Sequence, residues 1–437
     1  MCQLFSLRRE DVKTCTSCIR GDEKSLNALR LIAFIPPRLN VSTSPRKKTY
    51  QFRKKLYFCK KINLKIAVNT RLLLPDKLEG IGWVMYETLR RMVLSHPEVE
   101  FYFIFDRKPA QKYIFASNVT PVVLRPPARH PFLYIWYFEL SVTRFLRKLK
   151  PDLFYSPDGY LSLRTEVPSV AHFHDLSFEH FPKDMPPLVL WHYKKFFPEF
   201  ARKAQRIITV SEFSKKDIGE CYGIDAAKID VAYNGANEIF VPLSFDEQQR
   251  IRDRHTQGKP YFMFVGSLHP RKNLARLFRA YDLFRKQTET DIKLVIVGEK
   301  RWWTGDISQA YEGMSCKSEV VFLGHLSAEE LHKITAAAYA SVYVSYFEGF
   351  GIPIVEAFRC KTPVITSNVT SMPEVAAGAA LLVDPFDEAD IAKAMLKIQE
   401  EKLREELIVK GWERKNYFSW DRAAEQIWQS LMTVVKR

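Results

Sequence analysis

Cysteine and long apolar runs are scarce in this sequence, and both absences limit what the protein can be. Seven cysteines in 437 residues are too few for a disulfide scaffold, which predicts a reducing, cytoplasmic setting. The longest apolar run, residues 334–345, contains threonine and serine and is shorter than the roughly 18 apolar residues of a membrane span. A hydrophobic fraction of 46% still excludes wholesale disorder, and the length predicts two domains with room for a further segment.

Acidic residues are scarce only at the start of the chain. Residues 1–63 hold 15 Lys and Arg against 4 Asp and Glu, a net charge of +11, whereas the remainder holds 51 against 46, a net of +5. The formal net charge of +16 is therefore mostly a property of this N-terminal segment. Since the rest of the chain is nearly balanced, we expect no nucleic-acid partner.

The N-terminal segment also differs in pattern. It contains four cysteines and two basic runs, at 45–48 and 53–55, but no sustained helical or strand periodicity. Cys15 and Cys18 have the spacing of half a zinc site without a second half, and the basic runs could bind a membrane surface. We hypothesise that residues 1–63 are disordered or absent from the native protein, with translation starting at Leu64 from a bacterial leucine codon. N-terminal sequencing of the native protein tests this.

From Leu64 onward, brief apolar strands alternate with helical patterns, as in parallel sheets covered by helices. A first series of strands is predicted at 65–69, 100–105, 152–155, 169–173 and 206–210, with a helix from Trp83 to about Leu94. A polar stretch at 241–258 marks a domain boundary. A second series follows, with strands at 261–266, 293–298, 320–324, 340–344 and 363–366 and helices at 273–286, 328–338, 352–360 and 387–400. Two such sheets facing each other would enclose a ligand cleft.

The segment from Glu348 to Glu356, which reads Glu-Gly-Phe-Gly-Ile-Pro-Ile-Val-Glu, combines glycines, a helix start and two carboxylates. Gly349 and Gly351 allow a ligand to approach the backbone, and Pro353 suits a first helical turn. Free N–H groups at this helix start favour an anion such as a diphosphate. The two glutamates would repel a diphosphate, so we expect them to accept hydrogen bonds from sugar hydroxyls. A helix start that merely carries two favourable glutamates is the alternative.

The same segment resembles the paired-glutamate signature of family 4 retaining glycosyltransferases, and the resemblance extends over nearly all of residues 64–437. The loop 266–273, Gly-Ser-Leu-His-Pro-Arg-Lys-Asn, is similar to the donor-phosphate loop of that family. Further similar segments are Phe322-Leu-Gly324, Val210-Ser-Glu-Phe-Ser214, Tyr233-Asn-Gly235 and His172-Phe-His-Asp175. The resemblance implies an α/β protein with the GT-B fold, in which two Rossmann-like, doubly wound parallel-sheet domains (here 64–245 and 258–410) enclose a cleft. An amphipathic pattern from Trp412 to Val434, within 411–437, would be the C-terminal helix that crosses back to the first domain.

The resemblance also implies a role for each matching residue. Glu356 would accept hydrogen bonds from the ribose hydroxyls, and Glu348 would hold the transferred sugar together with the backbone amides of Phe350 and Gly351. Lys272 would neutralise the diphosphate. The implied donor-binding set is completed by Gly82, Gly266, Ser267 and Ile352.

At one position the sequence departs from the family pattern. An arginine usually follows the glycine at Gly266, and Ser267 stands there instead. Arg271, beside Lys272, would then supply the second positive charge, as in a subset of the family with the Pro-Arg-Lys-Asn pattern. The alternative for both residues is an exposed basic pair on a loop.

Two histidines at the end of a predicted strand, His172 and His174, lie two positions apart and therefore on one face. They could bind a metal, with only Asp175 and His180 near in sequence as further ligands, or they could be hydrogen-bonded core residues. The resemblance implies instead that His174 contacts the hydroxyls of the sugar.

Two ligand motifs are absent. Gly80 and Gly82, before the predicted helix at Trp83, do not complete Gly-x-Gly-x-x-Gly, which argues against dinucleotide binding, although that helix start could face the diphosphate or the acceptor. No Asp-x-Asp motif falls at a cleft position, and the family needs no divalent metal, so Lys272, Arg271 and helix starts would offset the leaving-group charge. Retention is expected through same-face attack by the acceptor, assisted by the departing phosphate, and a trapped covalent sugar adduct would contradict it.

These features predict a hexosyltransferase for surface polysaccharide synthesis, with GDP-mannose favoured over a UDP-hexose as donor and with no cofactor. The acceptor would be a saccharide or a lipid-linked molecule. The enzyme would be cytoplasmic, with peripheral contact at the inner face of the cytoplasmic membrane, where the aromatic stretch 131–138 could dock unless it packs as a core helix. The alternatives are a nucleotide-sugar epimerase on the same fold, or an inactive nucleotide- or carbohydrate-binding protein, which the presence of both glutamates, Lys272 and His174 opposes.

Overall fold

Two parallel β-sheets follow one another along the chain in a computed structural model that describes residues 64–75, 78, 80–299, 303 and 305–435. The predictions made for residues 1–63, including the half zinc site and the basic runs, lie outside the described residues. The first sheet belongs to residues 64–244, called the first half below, and the second sheet belongs to residues 245–419, called the second half.

The first sheet has seven parallel strands: β1 (Lys65–Asn69), β2 (Glu100–Phe105), β3 (Val119–Val123), β4 (Leu153–Ser156), β5 (Ser169–Phe173), β6 (Arg206–Thr209) and β7 (Ile229–Val231). The helices of this half are α1 (Gly80–Ser95), α2 (Pro131–Trp136), α3 (Thr143–Leu149), α4 (Ser177–His180), α5 (Pro187–Lys203) and α6 (Glu212–Tyr222), with a π-helical turn at Tyr137–Val142. Along β1, Ile66 and Val68 pack in one hydrophobic core and Ala67 in another. Both faces of the sheet are therefore covered, which is why the three central residues of this strand, 66–68, are all apolar.

The second sheet has six parallel strands: β8 (Tyr261–Val265), β9 (Lys293–Val297), β10 (Val320–Gly324), β11 (Ala340–Tyr343), β12 (Val364–Ser367) and β13 (Leu381–Val383). The helices that follow the first half are α7 (Phe245–Thr256), α8 (Leu274–Lys286), α9 (Gly305–Glu312), α10 (Ala328–Ala337), α11 (Ile352–Arg359), α12 (Met372–Ala376), α13 (Glu388–Lys397), α14 (Glu401–Arg414) and α15 (Trp420–Val435). Alternate residues of β8 again enter two cores, Phe262 and Phe264 in one and Tyr261 and Met263 in the other.

Each sheet contains a point where the strand order reverses. The spatial orders are β3-β2-β1-β4-β5-β6-β7 and β10-β9-β8-β11-β12-β13, so the reversals lie between β1 and β4 and between β8 and β11. The connections leave the two strands in opposite directions there, and a crevice opens at their carboxyl ends. The fold thus places the loop after β8 beside the loop after β11.

The predicted strands agree closely with the observed ones. The bounds of β1, β2, β5 and β10 match their predicted ranges, and the other predicted strands differ by one residue at one or both ends. Helix α1 begins at Gly80 rather than at Trp83. Strands β3, β7 and β13 were not predicted, and β3 contains Pro121, which is tolerated because β3 lies at the edge of its sheet.

The continuous helix predicted from Trp412 to Val434 is wrong, because α14 ends at Arg414 and α15 begins at Trp420. Ser419 Oγ accepts the backbone N–H of Asp421 at 3.2 Å, which favours a new helix start. The apolar face of α15 packs in the core of the first sheet through Ala424, Ile427, Leu431 and Val434. The end of the chain therefore returns from the second half to the first.

Candidate active site

The loop that follows β8 is held against the end of β11 by an asparagine. Residues Pro270–Lys272 form one 3₁₀ turn, and Asn273 ends it in the left-handed region at φ 64°. The side-chain amide of Asn273 donates to the carbonyls of Val344 (3.0 Å) and Pro385 (2.6 Å). Because these bonds fix the loop to the neighbouring strand end, the basic side chains of the turn reach the loop after β11.

Glu348, in the loop after β11, binds both basic side chains. Arg271 Nη1 lies 2.8 Å from one carboxylate oxygen and Lys272 Nζ lies 2.5 Å from the other. Lys272 Nζ also donates to the Tyr343 hydroxyl at 2.7 Å, and Arg271 Nη1 to the Phe347 carbonyl at 3.1 Å. Lys272 and Glu348 are only 8% and 6% exposed, so the two cations are not an exposed basic pair.

The charges of this cluster are set by burial and by the cations. Burial alone would raise the pKa of Glu348, but Arg271 and Lys272 outweigh it and lower the pKa to about 2. Burial lowers the pKa of Lys272 to about 8, against the attraction of Glu348. At neutral pH the cluster thus holds two positive charges and one negative charge, and its net positive charge suits an anionic ligand.

The glycine turn after Glu348 presents backbone N–H groups. Ser371 Oγ donates to the carbonyls of Glu348 (2.9 Å) and Phe350 (3.1 Å), which fixes the turn. Gly351 has φ 99°, a left-handed conformation that favours glycine, and directly precedes α11. Within the described residues, the N–H groups of Phe350 and Gly351 donate to no acceptor. Together with the start of α11, these N–H groups have the geometry that suits an oxygen-rich ligand.

Glu356 lies in the second turn of α11 and differs sharply from Glu348. No group in the described part of the chain donates a hydrogen bond to its carboxylate, and burial raises its pKa to about 7. A partly buried acceptor without a protein donor suits a ligand that brings hydroxyl groups.

The end of β5, in the first half, touches the glycine turn directly. A Cβ at position 349 would lie 1.9 Å from the carbonyl oxygen of His174, so glycine is required there. Ser211 Oγ, at the start of α6, donates to the Gly349 carbonyl at 2.6 Å, and Ser214 Oγ does so at 3.3 Å. The predicted histidine and the paired-glutamate segment, far apart in sequence, therefore meet.

The side chain of His174 is oriented by protein groups. Its Nε2 lies 2.8 Å from the Pro157 carbonyl oxygen, and its ring stacks on that of His172 at 4.4 Å. Burial lowers the pKa of both rings, so both are neutral at pH 7. Among the described residues these two histidines belong to no cluster of three ligand side chains, so the structure does not support a metal pair here.

The remaining predicted donor positions lie near this crevice. Gly266 packs against the aliphatic chain of the buried lysine, and Ser267 is exposed beside it. Ile352 begins α11 and packs against a small cluster that contains Val84 of α1. Gly82 lies in the first turn of α1. The two helix starts are therefore neighbours.

A buried ion pair that sequence reasoning missed lies at the reversal point of the first sheet. Arg71 Nε donates to Asp158 at 2.6 Å, and its guanidinium lies 4.3 Å and 5.1 Å from the ring centroids of Tyr160 and Tyr134. Asn69 donates to the other Asp158 oxygen at 2.7 Å. The polar residues that directly follow two apolar strands were the available signal, since such strand ends meet at one edge of a sheet.

Further contacts join the two halves beside the cleft. Glu374, in α12, accepts hydrogen bonds from the backbone N–H groups of Glu212 (2.8 Å) and Phe213 (3.0 Å) at the start of α6. Asp184 accepts a hydrogen bond from the Tyr346 hydroxyl. The relative orientation of the two halves is thus fixed by polar contacts next to the glycine turn.

Two family models match the chain, one in each half. A model described as Glycosyltransferase Family 4 matches residues 78–238, and a model described as Glycosyl transferases group 1 matches residues 245–414. The O-antigen chain mannosyltransferase B of Escherichia coli is 32% identical over 362 residues, which cover 80% of this chain and 94% of that protein. The O-antigen chain mannosyltransferase RfbU of Salmonella typhimurium is 31% identical over 199 residues, or 46% of this chain and 52% of that protein.

Solved structures share the architecture. The Anabaena protein HepE, in complex with UDP and glucose, superimposes with a TM-score of 0.65 at 18% sequence identity, covering 85% of this chain and 100% of that chain. At this identity the likeness shows the fold. Together with the family models and the E. coli relative, it establishes that the chain belongs to the group 1 glycosyltransferases of family 4, has the GT-B fold and is a hexosyltransferase.

Proposed function

We propose that the chain transfers mannose, with retention, from GDP-mannose to a saccharide or lipid-linked acceptor in surface polysaccharide synthesis. The observation that carries the donor site is the largely buried Arg271–Lys272–Glu348 cluster. Beside it lie the N–H groups of Phe350 and Gly351, which donate to no acceptor among the described residues. The choice of mannose is supported by the relatives from E. coli and Salmonella, both named as O-antigen mannosyltransferases. We assign the donor to the domain predicted at 258–410 and the acceptor to the domain predicted at 64–245. Within the segment 411–437, α15 returns to the first half.

The donor would exchange part of the internal ion cluster for its own groups. Diphosphate oxygens would bind Lys272, Arg271 and the N–H groups at the start of α11. This exchange would release an oxygen of Glu348, which could then accept a hydrogen bond from a sugar hydroxyl. Ionised Glu356 would accept the ribose hydroxyls, and His174 would contact the sugar from the opposite side of the cleft.

The transfer step would proceed by same-face attack. The acceptor oxygen forms a bond to the anomeric carbon while the bond from that carbon to the phosphate oxygen breaks, and that phosphate oxygen takes the acceptor proton. Lys272 and Arg271 would stabilise the negative charge of the departing diphosphate. Group 1 glycosyltransferases with this fold generally need no divalent metal, and the proposed role of Lys272 and Arg271 at the diphosphate agrees with this.

A calorimetric titration with GDP and UDP, in the presence of EDTA, tests the donor assignment. We expect GDP to bind at least about 10-fold more tightly than UDP, a difference of about 1.4 kcal/mol. UDP preference would keep the site and overturn the assignment of GDP-mannose. A folded protein that binds neither nucleotide would overturn the proposed function.

Incubation with GDP-mannose but no acceptor should leave the sugar nucleotide unchanged, whereas an epimerase would convert it.

An exposed aromatic surface supports the proposed membrane contact. Phe132 and Trp136, from the stretch predicted either to dock on a membrane or to pack in the core, are each 58% exposed, whereas Tyr137 and Phe138 are buried. The ring of Phe132 lies 6.2 Å from that of Trp191 in α5, which is 42% exposed. No helix in the described ranges has both the length and the apolar character to cross a bilayer. We propose that this aromatic surface contacts an anionic bilayer, since exposed Lys195 and Arg144 lie nearby in sequence.

Sedimentation with vesicles tests this surface. The double variant Phe132→Ser and Trp136→Ser should bind vesicles that contain phosphatidylglycerol about 10-fold more weakly or worse, because two apolar side chains no longer enter the interface. Val409→Ser, at an exposed apolar position in the second half, is the matched control and should bind normally. Vesicle binding that survives the double variant would assign the contact elsewhere, for example to the basic N-terminal segment.

A further inference from the structure

A second cluster of ligating side chains lies outside the donor site, between α4 and α6. His180 Nε2 lies 2.7 Å from Asp217 Oδ1. Cys221 Sγ lies 3.5 Å from that same oxygen and 3.9 Å from His180 Nε2. Within the part of the chain that the structure describes, no other set of three His, Cys, Asp or Glu side chains converges so closely.

We propose that His180, Asp217 and Cys221 together bind one Zn²⁺ ion. Imidazole nitrogen, carboxylate oxygen and thiolate sulfur are the ligand atoms that zinc prefers, at about 2.0–2.3 Å from the metal. Tetrahedral bonds of that length separate neighbouring ligand atoms by roughly 3.2–3.7 Å. The two distances that involve sulfur already lie within a few tenths of an ångström of this range, and the nitrogen–oxygen pair must open by about half an ångström.

Local structure favours this arrangement. Asp217 and Cys221 are four residues apart on α6 and therefore share one face of the helix, while His180 is the last residue of α4. An open cavity of about 520 Å³ adjoins the cluster and is lined by Glu179, His180, Lys194, Pro198, Arg202, Cys221 and Tyr222. It gives a metal ion access from solvent and leaves the fourth coordination position to water.

Metal binding would replace internal hydrogen bonds by coordinate bonds. The thiol of Cys221 donates to Asp217 Oδ1 in the structure. On binding, sulfur forms a bond to zinc and the thiol proton leaves to solvent, while His180 coordinates through Nε2 and carries its proton on Nδ1. No oxidant or further reactant is required.

A zinc ion at this site would act on the loop after β11 through side-chain packing. The ring of His180 stacks on Phe347 at a centroid distance of 5.0 Å, and the Phe347 carbonyl accepts a hydrogen bond from Arg271. A zinc ion on Nε2 would fix this ring and so stiffen the packing next to Glu348. The zinc site lies outside the Arg271–Lys272–Glu348 cluster assigned to the donor, so the proposal does not depend on which sugar is transferred.

Cobalt and zinc titrations of the full chain test the site. After treatment with a chelator, one equivalent of Co²⁺ should produce a thiolate-to-cobalt charge-transfer band, which Zn²⁺ then removes. Cys221→Ser should abolish the band and lower zinc affinity by more than about 100-fold, since loss of even an outer-shell partner costs roughly 10–100-fold. His180→Gln, at an exposed position, should behave alike and serves if the cysteine variant fails to fold.

Two control variants separate this site from other thiols. Cys316→Ala removes a thiol with no histidine beside it and should leave the band intact. The pair Cys15→Ser and Cys18→Ser should also leave it intact. The proposal is overturned if the unmodified chain gives no band, if the band survives Cys221→Ser, or if it disappears when only Cys15 and Cys18 are replaced.

Discussion

Replacing Glu348 with glutamine is expected to tighten GDP binding by about 10-fold while it lowers the rate of sugar transfer by about 10²–10³-fold. Without a ligand, the Glu348 carboxylate occupies both Lys272 and Arg271, so a diphosphate must compete with it. Glutamine is uncharged and leaves the two cations to the diphosphate, but it also removes the charged acceptor proposed for a sugar hydroxyl. Calorimetry with GDP and steady-state rates with GDP-mannose measure the two effects separately.

Thermal unfolding of the same variant provides an independent check. The substitution leaves two largely buried cations without a counterion, which should lower the stability of the ligand-free protein by about 2–4 kcal/mol. GDP should then stabilise the variant more than it stabilises the wild type. Glu388→Gln is the matched control, because Glu388 pairs with Arg279 at 3.4 Å on the surface and should change neither binding nor rate. A folded Glu348→Gln protein that binds GDP more weakly would contradict the competition.

Replacing Glu356 with glutamine should have the opposite effects on GDP binding and on the stability of the ligand-free protein. GDP binding should weaken by about 10–100-fold, which corresponds to about 1.5–3 kcal/mol, yet the ligand-free protein should gain about 1–3 kcal/mol of stability at pH 8. Burial raises the pKa of Glu356 to about 7 from the ordinary value of 4.5. Its contribution to stability is therefore fully present below pH 4.5 and is lost as the pH rises through about 7. At pH 8 the wild type carries a partly buried charge that has no hydrogen-bond donor among the described residues, and the variant does not.

Unfolding at pH 5 and pH 8 distinguishes this account from a general effect of the substitution. The gain from Glu356→Gln should be much larger at pH 8. Glu348 gives the matched contrast, because its pKa is lowered to about 2, so its contribution is present above its ordinary value of 4.5 and is lost only as the pH falls towards 2. Glu348→Gln should therefore destabilise the protein at both pH values. An equal gain from Glu356→Gln at pH 5 and pH 8 would show that its charge is not the cause.

The central strands could be predicted because most of their residues are buried and their apolar side chains pack in cores on the two faces of the sheet. All five residues of β5 are buried, for example, and the strand is a short apolar segment with no competing interpretation. The three strands that sequence reasoning missed, β3, β7 and β13, all lie at sheet edges, and each leaves part of its length outside the core. Several residues of these three strands are exposed or only partly buried, so their sequence lacks the continuous apolar pattern of a central strand and resembles that of a loop.

The site residues were predicted singly, but their pairing was not. Sequence resemblance placed Lys272 and Arg271 against a diphosphate and Glu348 against a sugar. That the three bind one another without a ligand follows from the adjacency of β8 and β11, which are distant in sequence. The ion pair of Arg71 and Asp158 was not predicted for the same reason, because it depends on the adjacency of β1 and β4. Periodicity and spacing report on one segment at a time and carry no information on which strands become neighbours.

The contact between Gly349 and the His174 carbonyl limits how hybrid enzymes of this type can be built. Separate family models match the two halves, and we assign the acceptor to the first half, so exchanging that half is a direct way to change the acceptor under this proposal. A grafted half must also bring a serine where Ser211 holds the Gly349 carbonyl and a carboxylate where Asp184 meets Tyr346. Parents chosen for these junction residues, rather than for overall identity, should yield hybrids that keep the donor of one parent and take the acceptor of the other.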